Sequence, residues 1–251
     1  KKIKEEVGID MPIISAGDDW SKVDYSKYEC LNYLDDFSFS SKLVGDDIIN
    51  FIEVSGVENV TIRIVLFVAH THGMFDLKRR LTKFIANREK EKGKKINISF
   101  IFNKQFWELI SNSIADDMTS KSSVYLAERE LADSILLEHG LVGSDLYTPN
   151  VFRVGNHRGC ILGDDDDRRR IERIFISKGL YIASHSNDLS RSLKPLGFYS
   201  YPGFGFGGNA FSYRNCPNNT PLVFWWGTYT KTGNSAIDCW YPLMKRTGYQ
   251  L

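Results

Sequence analysis

The sequence predicts an α/β fold with a mainly parallel sheet and helices on both faces, and three observations predict it. Val60-Thr-Ile-Arg-Ile-Val-Leu-Phe-Val-Ala69 is β-branched and almost continuously apolar toward its end. A strand buried inside a parallel sheet reads this way. Ile96–Phe102 repeats that character. Between them, Leu77–Lys92 sets Leu77, Leu81, Phe84 and Ile85 on one helical face opposite a basic one, with Gly93 as its stop. Strand, loop, helix and strand in that order form a βαβ unit, which implies a right-handed crossover.

The remaining elements follow along the chain. Residues 1–41 are mixed, with Asp18-Asp-Trp20, several tyrosines and Asp35-Asp-Phe-Ser-Phe-Ser-Ser41. They predict loops and short pieces wrapping the core, an N-terminal extension ahead of a single α/β domain over residues 42–251. Asp46–Val54 predicts a helix, its two leading aspartates suiting a helix N-terminus. His70-Thr-His-Gly-Met-Phe-Asp76 reads as the loop after the strongest strand. Helices are expected over Gln105–Ile114 and Ser123–His139, the latter stopped by Gly140. Short strands are expected at Val151–Val154 and Cys160–Leu162, then a helix over Arg168–Lys178 ended by Gly179, then a strand at Tyr181–Ser184. Leu222–Trp226, entered directly from Pro221, reads as a short strand buried on both faces with Trp225 or Trp226 in the core. No internal repeat or low-complexity linker divides the chain.

Composition narrows the class. At 251 residues, with 42% apolar and 25% charged content, the chain is an ordinary globular one with ample core. Its 32 basic residues nearly balance 31 acidic ones, so no global field argues for nucleic acid or membrane. Cys30, Cys160, Cys216 and Cys239 lie far apart, which suits reduced thiols better than a disulfide framework or zinc site. No apolar run approaches a membrane span and no signal peptide is evident, so a cytoplasmic location without membrane attachment is expected. The chain starts at Lys1, so an N-terminal piece is expected to be missing.

The densest stretch lies near the C-terminus. Phe211-Ser-Tyr-Arg-Asn-Cys-Pro-Asn-Asn-Thr-Pro-Leu-Val-Phe-Trp-Trp-Gly227 is followed by Trp240-Tyr-Pro-Leu-Met-Lys-Arg246, and preceded by a glycine/aromatic segment over Leu196–Gly208. This region, roughly residues 195–247, resembles the C-terminal signature of a divergent phosphoribosyltransferase-like family of bacterial conflict and anti-phage systems. The residues that carry the resemblance are Asn215, Pro217, Asn218, Asn219, Pro221, Leu222 and Trp225, then Trp240, Pro242, Leu243 and Arg246. It implies a phosphoribosyltransferase-like component of a defence system that works beside other subunits and binds a nucleotide or sugar phosphate.

The resemblance also implies a kind of site. In phosphoribosyltransferases a strand–loop–helix junction carries two adjacent carboxylates that hold the ribose hydroxyls, then small and hydroxyl residues. Loop amides at the helix N-terminus hold the 5′-phosphate. Placed at the end of the strongest strand, this assigns the phosphate to Thr71, His72, Gly73, Met74 and Phe75, and the catalytic positions to His70 and Asp76. The acidic pair is missing there, Ala69-His70 standing in its place, so a degenerate or inactive transferase with weak sugar-phosphate binding is expected.

Two other readings stay open. His70 and His72, or the run Asp164-Asp-Asp-Asp167, could serve a metal-dependent hydrolase or nuclease, the aspartates with a divalent cation such as magnesium. More commonly a His pair at a strand end is structural, and acidic residues before a helix neutralise its dipole. No cofactor is otherwise expected. The third reading is a non-catalytic scaffold or partner-binding protein. The lysine- and arginine-rich stretch Lys78–Lys95 leaves nucleic acid open as a partner, although such a stretch is usually the wet side of an amphipathic helix.

Overall fold

The structure is a computed structural model, and it describes residues 18–102, 108–110, 125, 127–144, 147, 164–185, 193–198, 203–212 and 216–244. Strand β1 (Cys30–Ser38) leads through helix α1 (Lys42–Ser55) to β2 (Asn59–His70). Helix α2 (Thr71–Lys92) returns the chain to β3 (Asn97–Phe102), and β4 (Glu108–Ile110) follows. All four strands are parallel, with β2 between β1 and β3. β4 pairs with Val68–His70, on the edge of β2 that β3 uses, because β1 occupies the other edge there. The fold is therefore α/β with a mainly parallel sheet, as the sequence predicts.

Alternation along β2 explains the packing. Val60, Ile62, Ile64 and Leu66 are buried against Val44, Ile48 and Ile52 of α1 and Leu77 and Leu81 of α2. Burying each such side chain stabilises by about 1.5–3 kcal/mol. Both crossover helices therefore share one face of the sheet. On the opposite face Leu34, Phe67 and Ile101 are exposed.

The first correction concerns residues 30–41. They form an edge strand and the connection into α1, paired with β2 from Cys30↔Thr61 to Ser38↔Ala69, rather than loops wrapping the core. Asn32, Asp35 and Asp36 interrupt the apolar pattern, which hid the strand. Helix α1 begins at Lys42 rather than Asp46, and α2 at Thr71 rather than Leu77. Its stop at Gly93, in the left-handed conformation, is as expected.

A second core lies C-terminal to the sheet. It joins helix α3 (Arg129–Glu138), helix α4 (Asp165–Ser184), and the hairpin of β5 (Leu193–Lys194) with β6 (Gly197–Phe198). Residues of the expected Gln105–Ile114 helix instead supply β4, and α3 starts six residues later than Ser123. Helix α4 runs straight through Gly179 and absorbs the expected strand at Tyr181–Ser184. Glycine sits there because a Cβ would lie 2.6 Å from Pro195, so it admits the hairpin rather than ending the helix. Val151–Val154 and Cys160–Leu162 fall outside the described residues.

Leu222–Trp226 is not a strand. Leu222–Trp225 forms a single helical turn, α5, and Ser235–Asp238 another, α6. Trp225 and Trp226 are half-buried, each with its indole N–H on a carbonyl: Thr220 O at 2.9 Å and Ala236 O at 2.8 Å. Trp240 likewise donates to Val223 O at 3.0 Å. The block is held by aromatic packing with a paired polar edge, not by a sheet.

Candidate functional site at the carboxyl ends of the strands

Open parallel sheets bind ligands beyond the carboxyl ends of their strands, and here two adjacent ends differ. β2 has no loop after it: His70 ends the strand and Thr71 begins α2. β1 ends at Ser38, and Phe39, Ser40 and Ser41 separate it from α1. Asp35 and Asp36 stand just before that connection. The strand, acidic pair, hydroxyl-rich connection and helix sought after β2 thus occur after β1. The pair was visible in the sequence, and the missed signal was Leu31-Asn-Tyr-Leu34 as the strand that presents it.

The pleat sends the two carboxylates to opposite faces. Asp35 is paired with Leu66 and turns toward the helix-covered face. Burial pushes its carboxyl up to about 6, and the negative charges of Asp36 and Asp47 push the same way, while the Asp36 amide donating to Oδ1 at 2.9 Å opposes them. Tyr33 on the same face donates to Asp47 Oδ2 at 3.0 Å. Its hydroxyl is held well above the usual tyrosine range, first by burial and then by Asp35 and Asp47. Asp36 faces the other way and accepts from Ser212 Oγ at 3.0 Å.

The connection is tightly specified. Ser38 and Ser41 are buried with their hydroxyls 2.8 Å apart, and Ser41 Oγ also donates to Met74 Sδ at 3.9 Å. Among the described residues Ser41 is the one non-glycine with positive φ, at 55°. A side chain in left-handed geometry costs about 1–3 kcal/mol, and such strain concentrates at functional sites. The Lys42 amide donates to Ser40 Oγ at 3.4 Å as α1 begins.

α2 buttresses this connection. A Cβ on Gly73 would lie 1.9 Å from the Phe39 carbonyl oxygen, so only glycine lets the first turn of α2 approach. His70 is half-buried, its ring 5.7 Å from that of exposed His72 and 5.1 Å from Phe206. Phe206 also meets Phe39, at 5.3 Å. The glycine/aromatic segment therefore lies over the carboxyl ends of β1 and β2. Met74 is buried, Phe75 is exposed, and Asp76 pairs with Arg79 at 3.0 Å on the outer side of α2.

A sequence model described as PRTase-CE matches residues 2–246. The chain belongs to the PRTase-CE family. Neither a curated protein nor a solved structure matches it. The family is phosphoribosyltransferase-like, in keeping with a parallel α/β sheet.

In this PRTase-CE chain the C-terminal residues act as braces. Pro217 O accepts from the Thr220 amide at 3.1 Å and from its hydroxyl at 2.6 Å, closing the Asn218-Asn219 turn. Phe198 N donates to Asn218 O at 2.7 Å, and Asn219 Nδ2 to Phe198 O at 3.1 Å. Gly208 N donates to Asn219 O at 2.9 Å. The turn thus fixes both the hairpin and the end of the glycine/aromatic segment. Pro221 stands at the N-cap position of α5 and Pro242 is buried, while Asn215 and Arg246 lie outside the described residues.

The aspartate run caps a helix. Asp164 Oδ1 accepts from the Asp167 amide at 2.9 Å at the start of α4, and Arg168 pairs with Glu172 at 2.9 Å, both fully buried. His70 and His72 approach each other, but no group of three or more metal-ligating side chains gathers among the described residues. No helix among them is long and apolar enough to cross a membrane. Of the basic stretch, Arg80 pairs with Asp46, and Lys92 and Lys94 with Glu58.

Proposed function

We propose that this PRTase-CE protein binds a ribose 5-phosphate-bearing ligand, a nucleotide or phosphoribosyl pyrophosphate, at the β1–α1 junction. One observation carries the reading: Asp35 and Asp36 stand at the end of β1, followed by Ser38, Ser40 and a strained Ser41 at the helix start. The outward-facing Asp36 carboxylate can accept hydrogen bonds from ribose hydroxyls, each worth about 1.5–3 kcal/mol. The first-turn amides of α1 and the exposed Ser40 hydroxyl suit the phosphate. This moves the site from the residues after β2 to those after β1. His70 stays at its margin, and Thr71–Phe75 become the wall behind it.

The acidic pair removes the main sequence argument for a degenerate transferase. The resemblance of residues 195–247 supports service in a cytoplasmic bacterial anti-phage system alongside other subunits. Calorimetric titration of phosphoribosyl pyrophosphate into the wild type and Asp36→Asn tests the binding. The expected loss is at least tenfold in affinity. Equal affinities, or no binding to the wild type, would sink the reading.

A further inference from the structure

Asp36 already holds a hydroxyl. Ser212 Oγ donates to Asp36 Oδ2 at 3.0 Å across 176 positions of sequence, bringing the C-terminal block onto the end of β1. A ribose hydroxyl would make the same kind of bond to the same carboxylate. We propose that Ser212 is an intramolecular stand-in for the ligand hydroxyl, displaced when ligand binds, so that occupancy of the site releases residues 209–212. This rests on the β1–α1 junction being the sugar-phosphate site.

The surroundings favour local release over rearrangement of the whole block. Residues 203–208 are buried, and Gly203, Gly205 and Gly207 adopt positive φ that turns Phe204 and Phe206 inward. Phe206 is fixed between Phe39 and His70, and Gly208 is tied to Asn219 O. From Asn209 onward the chain is no longer buried, and Phe211 is 39% exposed with its ring against Phe224. The boundary between Gly208 and Asn209 is therefore where a hinge belongs. The exchange replaces one hydroxyl on the carboxylate by another, so it leaves no partly buried charge unpaired in either state. Ligand identity is thereby converted into the position of a surface segment beside an aromatic block, where another subunit could read it.

The test uses the full chain and phosphoribosyl pyrophosphate. Ser212→Ala removes the competitor and should bind about tenfold more tightly than the wild type. Asp36→Asn combined with Ser212→Ala should bind no better than Asp36→Asn alone. Hydrogen exchange at residues 209–212 should rise on ligand addition to the wild type, while residues 203–208 stay protected. Unchanged or weaker binding by Ser212→Ala, with Asp36→Asn still defective, would overturn the stand-in and leave the site reading intact. Wild-type affinity in Asp36→Asn would overturn both.

Discussion

The junctions after β1 and β2 are neighbours in one sheet, yet they are built for opposite ends. After β1 the chain opens: Asp35, Asp36 and Ser38 end the strand, and Phe39, Ser40 and the strained Ser41 separate it from the helix. After β2 it closes, because α2 starts at once and Gly73 presses against the Phe39 carbonyl. A repeated βα unit thus offers two strand ends, one shaped to meet a ligand and the other to hold the first in place. A long apolar strand marks the centre of a sheet, whereas a strand interrupted by polar residues can mark where the chemistry lies.

Gly73→Ala attacks the comparison most severely. A methyl group at 1.9 Å from a backbone oxygen cannot be accommodated unless strand connection and helix separate. The expected cost is about 2–3 kcal/mol, read as a fall of about 5–10 °C in melting temperature for a domain of this size. A melt within a degree of the wild type would show that α2 does not buttress the connection.

Asp35→Asn sharpens the other side. Its carboxyl titrates in the folded chain near 6 rather than near the ordinary 3.8. The folded state therefore binds the proton more tightly than the unfolded state, and ionisation weakens folding as pH rises from about 4 through about 6. Asp35→Asn should be more stable than the wild type at pH 7.5 by about 1–2 kcal/mol, allowing for solvent screening of a half-buried group. That difference should vanish near pH 4, as denaturant melts at the two pH values would show. A constant difference would detach the effect from ionisation.

Much of the fold was legible because its physics is local. Val60–Ala69 and Ile96–Phe102 announce buried parallel strands, and Gly93 ends α2 as a left-handed cap. What stayed hidden depends on contacts distant in sequence. Gly73 reads as a phosphate-loop glycine and Gly179 as a helix stop until Phe39 and Pro195 are seen against them. Leu222-Val-Phe-Trp225 has strand composition, but its turn is fixed by Pro195 O, which accepts from the Leu222 amide at 3.0 Å. The acidic pair Asp35-Asp36 was plain as a motif. With Asn32 and the aspartates themselves breaking the apolar pattern of β1, the pair has no evident sheet end to belong to in the sequence.

The central claim is that a sugar phosphate meets the β1–α1 junction and not the start of α2. Amide chemical-shift mapping of the isotopically labelled chain during titration with ribose 5-phosphate tests it most directly. The largest perturbations should fall on Asp36 and on Ser38 through Leu43, with Thr71–Phe75 responding only weakly through the Gly73 contact. Perturbations centred on Thr71–Phe75, with the Ser38–Leu43 amides unmoved, would contradict it and return the site to the end of β2.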